Sequence, residues 1–90
     1  MHEASLIANL MHRIDKIARA ENARRIVGVS VRLGALSHLS AEHLAGHFEQ
    51  AAVGTIAEDA KLDIMVSADT GHANAQDIVL ESGEVETWPP

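Results

Sequence analysis

The chain has no cysteine, and Phe48 and Trp88 are its only aromatic residues. The first absence removes disulfides, thiolate zinc sites and cysteine nucleophiles together, and it fits a reducing compartment. The second means that any core is aliphatic, built from Leu, Ile, Val, Met and Ala. Basic residues are also few: 7 Lys and Arg stand against 13 Asp and Glu, for a net charge of -6. That sign opposes binding to a phosphate backbone, so nucleic acid is not an expected partner. No apolar run approaches the roughly 20 residues of a membrane span. His2 and Glu3 stand where a signal peptide would be basic, and Arg13 interrupts the apolar residues that follow. The expectation is a cytoplasmic protein with no membrane partner.

What is present is globular. The 47% hydrophobic content exceeds that of a disordered chain, and 90 residues make one small domain. A domain of this size buries only about 60–65% of its unfolded surface, so the core is thin.

Leu6, Ile7, Leu10, Met11, Ile14, Ile17 and Ala18 recur at three- and four-residue spacing. They predict one amphipathic helix from about Glu3 to Ala20. Residues 21–25 read as a polar break, with Arg24 and Arg25 in a solvated turn. From Ile26 to Leu33, Val27, Val29, Val31 and Leu33 alternate with Gly28, Ser30 and Arg32, which predicts a strand with one apolar face. Ser40 reads as an N-cap, with Leu39 and Leu44 as a hydrophobic staple. A second helix then runs from about Ala41 to Val53, with Leu44, Phe48 and Ala51 or Ala52 facing inward. Gly54 stops it. Leu62 to Val66 reads as a second strand, residues 69–76 as a polar turn, and Ile78 to about Glu86 as a third strand. Pro89 and Pro90 follow.

The order α-β-α-β-β implies an α/β (α+β) fold, with two helices packed on one face of a three-stranded mixed sheet. Strands one and two, joined through a helix, should be parallel in a right-handed crossover. Strand three follows a short loop and should run antiparallel to strand two. The other sheet face has no helix, so it is solvated or covered by a partner.

The candidate site lies at the chain start. Initiator methionine is usually removed only before small residues, so Met1 should keep a free α-amine next to His2. The amine, the His2 imidazole and the backbone nitrogens of His2 and Glu3 lie within one chelating reach, and the Glu3 carboxylate is close. Such a set suits Ni(II) or Cu(II), which favour square-planar or tetragonal geometry. The plain alternative is a solvated terminus.

Several motifs occur in order along the chain. Met1-His2-Glu3 opens it, and Val31-Arg32-Leu33-Gly34-Ala35-Leu36-Ser37 ends strand one. Leu44, Phe48 and Glu49 follow, then residues 54–62 as Gly-Thr-Ile-Ala-Glu-Asp-Ala-Lys-Leu, and Glu84-Val85-Glu86. This pattern resembles the HypA/HybF family of nickel-insertion accessory proteins for NiFe-hydrogenase maturation. The resemblance implies a non-enzymatic nickel carrier that binds Ni(II) transiently through Met1, His2 and Glu3. It would pass the metal to a HypB-like GTPase or to a hydrogenase large-subunit precursor. A homo-oligomer is compatible with it.

The chain departs from that family in three places. Family members normally carry a zinc domain with two CxxC pairs between strand two and the last strand. Here the short stretch from Ala68 to Asp77 replaces it, so residues 1–90 form a single nickel-binding domain without zinc. Asp59 replaces the usual glycine of an Ala-Glu-Gly-Ala stretch. Gly46 and Gly83 stand where bulkier residues are common.

The remaining constellations are weaker. His43 and His47 share a helix face at i, i+4, which fits half of a metal site or, more simply, a surface or interface pair. His12 reads as solvated. His38 and His72 lie in loops without an assigned role. No Ser-His-Asp set, phosphate-binding glycine loop or glycosidase-type carboxylate pair has motif support. The rival reading is a metal-free adaptor of a maturation complex, docking through an apolar patch on the open sheet face.

Overall fold

The structure is a computed structural model. It describes residues 2–35, 40–68, 71 and 78–89, with only the backbone for residues 2–4. Helix α1 spans His2–Ala20, strand β1 Ala23–Leu33, helix α2 Ala41–Ala52, strand β2 Lys61–Val66 and strand β3 Ile78–Thr87. All five elements occur in the expected order and close to where the periodicity places them, with β1 beginning three residues earlier. The two helices on a three-stranded mixed sheet are the expected class.

The sheet order is β2-β1-β3. β1 pairs with β2 in parallel, from Gly28 opposite Lys61 to Leu33 opposite Val66. β3 runs antiparallel to β1 and so opposite in direction to β2. Its hydrogen bonds go to β1, because β3 lies on the far side of the central strand. α1 packs on β1 and β3, α2 packs on β2, and the helices touch each other.

α1 buries Ile7, Leu10, Ile14 and Ala18 against the sheet, with Leu6 and Met11 at the margin. Glu21 and Asn22 close the turn into β1, Asn22 taking a left-handed φ of 51°. α2 begins as expected: the Oγ of Ser40 accepts from the amide of His43 at 3.2 Å. Leu39, the other half of the expected staple, lies outside the described residues. Leu44, Phe48 and Ala52 are buried on the inner face of α2. Gly54 follows with φ +80°, which a side chain disfavours.

Strand β1 corrects the alternation in two ways. It begins at Ala23, so Arg24 and Arg25 belong to the strand and not to a solvated turn. The buried set is Ile26, Val29, Val31 and Leu33, while Val27 is only half-buried. The cause is a register shift: Ile26 faces Val85 and Gly28 faces Glu84, leaving Val27 as an extra residue. A bulge of this kind shifts the two-residue alternation by one. A second shift, between Ser30 and Val31, leaves Glu81 extra on β3. Core-side positions on β3 therefore change from Ile78 and Leu80 to Gly83 and Val85. Gly83 lies beneath Ile17 of α1, whose side chain would sit 3.7 Å from a Cβ there.

The open sheet face is not an apolar patch. Opposite β1 residues Ser30 and Arg32, it presents Asp63 and Met65 from β2 and Ser82 and Val79 from β3. Met65 is 63% exposed, but it stands beside an ion pair between Arg32 Nε and Glu81, 2.9 Å apart.

Candidate metal centre

α1 positions the chain start. The link from α1 to β1 is two residues long, so β1 returns along the helix. The first turn of α1 therefore lies at the end of the sheet where β1 finishes. β1 and β2 are parallel, so α2 also starts at that end. His2 and Glu3 have helical backbone, and Met1 lies outside the described residues. The first four amides of a helix have no intrahelical acceptor, so the backbone nitrogens of His2 and Glu3 are not committed to helix hydrogen bonds. Among the residues whose side chains are described, the first of α1 to pack on the core are Leu6 and Ile7.

The other histidines are dispersed. His12 is exposed and lines a groove of about 370 Å³ with Met11, Ala51 and Ile56. His43 and His47 are exposed on α2. His38 and His72 lie outside the described residues. Among the described residues, no group of three or more His, Asp or Glu side chains could hold a metal ion. A second groove, of about 460 Å³, runs between α2 and the segment before β2, with Glu49, Glu58 and Asp59 at its rim and Phe48 and Leu62 in its wall.

The segment between α2 and β2 is tightly bonded. Thr55 Oγ1 donates to the carbonyl of Ala52 at 2.7 Å and accepts from the amide of Ala57 at 3.1 Å. The Ala57 side chain is buried in the core. The amide of Ile26 donates to the carbonyl of Ile56, so the segment extends hydrogen bonding along β1 before β2 begins. This accounts for a small residue at position 57 and a hydroxyl at position 55.

A family model described as "Hydrogenase/urease nickel incorporation, metallochaperone, hypA" matches residues 1–75. The chain belongs to the HypA family. Among curated relatives, the hydrogenase maturation factor HypA of Chlorobium limicola is 42% identical over 64 residues, covering 71% of this chain and 55% of that protein. Its counterpart in Picosynechococcus sp. is 39% identical over 64 residues, covering 71% and 57%. That of Archaeoglobus fulgidus is 38% identical over 66 residues, covering 73% and 60%. The chain thus spans little more than half the length of these HypA relatives. The solution structure of the Ni metallochaperone HypA from Helicobacter pylori shares the fold, with a TM-score of 0.77 at 18% identity. The likeness covers 93% of this chain and 97% of that one. Among the described residues, no helix is long and apolar enough to cross a membrane.

Sequence reasoning missed one arrangement. Adjacent strand residues ordinarily point to opposite faces. Here Arg24 and Arg25 both reach Glu86, at 3.1 and 3.6 Å, because a register shift falls between Ala23 and Arg25. Arg24 also lies over the Trp88 ring, 5.9 Å from its centroid. These exposed contacts join the start of β1 to the end of β3. On α1, Asp15 accepts a hydrogen bond from Arg19 and raises its pKa. That pair is exposed and has no part in a site.

Proposed function

We propose that this chain is a non-enzymatic nickel-binding accessory protein for NiFe-hydrogenase maturation, carrying Ni(II) at Met1, His2 and Glu3. The observation that supports this best is the Met-His-Glu start inside the stretch, residues 1–75, that matches the HypA family model. The donors would be the Met1 amine, the backbone nitrogens of His2 and Glu3, and the His2 imidazole, with the Glu3 carboxylate in reach. A planar nitrogen set of this kind suits Ni(II).

The location in the fold suits release as well as capture. The positive end of a helix opposes a bound cation, and deprotonation of the two amides on binding would offset that charge. Planar coordination by successive backbone nitrogens also requires an extended chain, so loading unwinds the first turn of α1. Both costs keep affinity modest and transfer easy. The recipient would be a HypB-like GTPase or a hydrogenase large-subunit precursor, in the cytoplasm. We further propose that residues 68–77 stand in place of the family's zinc domain and that folding needs no zinc. The rival adaptor reading needs an apolar docking patch, and the open sheet face, with Arg32, Asp63, Glu81 and Ser82, does not favour it.

Calorimetric titration of Ni(II) into three proteins tests the proposal: the native-start chain, a chain with one residue added before Met1, and His2→Ala. Extension and His2→Ala should each abolish or greatly weaken tight binding. Glu3→Gln should have a small effect if only its backbone binds and a large one if its carboxylate does. Protons compete for the same nitrogens, so binding should fade below about pH 6. Equal affinity in the native-start and extended chains would remove the amine from the site.

A further inference from the structure

We propose that His43 and His47 form a second, weaker metal site on α2, a bidentate imidazole pair for a divalent transition metal such as Ni(II). It is separate from the chain start and does not rest on the nickel-delivery reading.

The two residues are one helical turn apart, so their Cβ atoms are about 5–6 Å from each other on one face. That separation lets two imidazole nitrogens reach one ion without distorting the backbone. Imidazole is a good ligand for Ni(II), Cu(II) and Zn(II) alike. The helix that carries them is held in place: Ser40 caps its first turn through the His43 amide. Leu44, with no exposed surface, and Phe48, 3% exposed, anchor the adjoining stripe of the helix in the core. His43 and His47 are both exposed to solvent. Gly46, beside His47 in sequence, carries no side chain, and nothing lies within 4 Å of where its Cβ would be.

Among the described residues, no third ligand completes the set. The site would thus supply two protein ligands and leave the other positions to water or to an incoming donor. Open positions make such a site weak and exchangeable. α2 starts at the same end of the sheet as α1, so both sites lie on elements that begin there.

The test uses the full chain with one residue added before Met1, which disables an amine-based site. Titration with Ni(II) should show one saturable, weak site. His43→Ala and His47→Ala should each weaken it at least tenfold, and His12→Ala should leave it unchanged. In NMR spectra, the ring signals of His43 and His47 should respond together at substoichiometric Ni(II), ahead of His12. Circular dichroism verifies that the surface variants remain folded. Absence of saturable binding, or unchanged affinity in both alanine variants, would overturn the site. If extension itself leaves tight binding intact, the chain-start proposal fails. The His43 and His47 variants made in the extended chain still report on this one.

Discussion

The amide of Ile26 donates to the carbonyl of Ile56 at 2.8 Å, tying the start of the central strand to the segment that follows α2. Thr55 holds that segment in shape through two hydrogen bonds of its hydroxyl. Thr55→Val keeps the volume and removes both bonds, leaving the amide of Ala57 without its acceptor. The expected loss is about 1–3 kcal/mol, and Thr55→Ser should lose less. Urea denaturation measures both. Equal stability of the valine variant would mean that the hydroxyl does not organise the segment.

Asp59 has a φ of 67°, in the left-handed region. Aspartate tolerates that region better than most residues, and glycine tolerates it best. Asp59→Ala should therefore cost about 1 kcal/mol. Asp59→Gly, which restores the residue usual in the resembled family, should be at least as stable as the parent. A thermal melt that ranks alanine above glycine would contradict the strain.

Phe48 is the only buried aromatic side chain among the described residues, in the same core as Leu10 and Ile14. Phe48→Ala should cost roughly 3–5 kcal/mol. A domain of this size has a total stability of only about 5–10 kcal/mol, so the variant sits near unfolding at room temperature. Denaturant midpoints of Phe48→Leu and Phe48→Ala together measure how much of the loss is cavity.

Two glycines give the opposite sign. Gly46 lies inside α2 with open space around it, and neither it nor Gly83 has a positive φ. Gly46→Ala should stabilise by about 0.5–1 kcal/mol through helix propensity alone. At Gly83, a methyl would meet Ile17 at an ordinary contact distance of 3.7 Å. Gly83→Ala should therefore be neutral or stabilising, and Gly83→Val should lose stability by crowding α1. Melting curves for the three variants check the order.

The proposed independence from zinc has its own measurement. β3 completes the sheet by pairing with β1 over nearly its whole length, and there is no thiolate to hold a metal clip. A strong chelator should leave the thermal midpoint unchanged, and purified tag-free protein should hold far less than one zinc per chain. Unfolding on chelation would overturn this.

Element identity was written locally. The stripe from Leu6 to Ala18, the Ser40 cap and the runs at residues 62–66 and 78–86 each follow from helix or strand periodicity, which depends only on near neighbours. The proposed Met-His-Glu chelate is likewise argued from adjacent residues, since chelation by successive nitrogens needs only near neighbours. Tertiary structure alone decided the rest. β3 joins β1 and not β2, Ile26 displaces Val27 from the core, and Arg24 and Arg25 converge on Glu86. Each depends on a hydrogen-bond register between strands whose paired residues lie 45 to 64 positions apart in sequence. A bulge leaves no mark in the period of either strand by itself. It appears only when the two are paired and one has a residue too many.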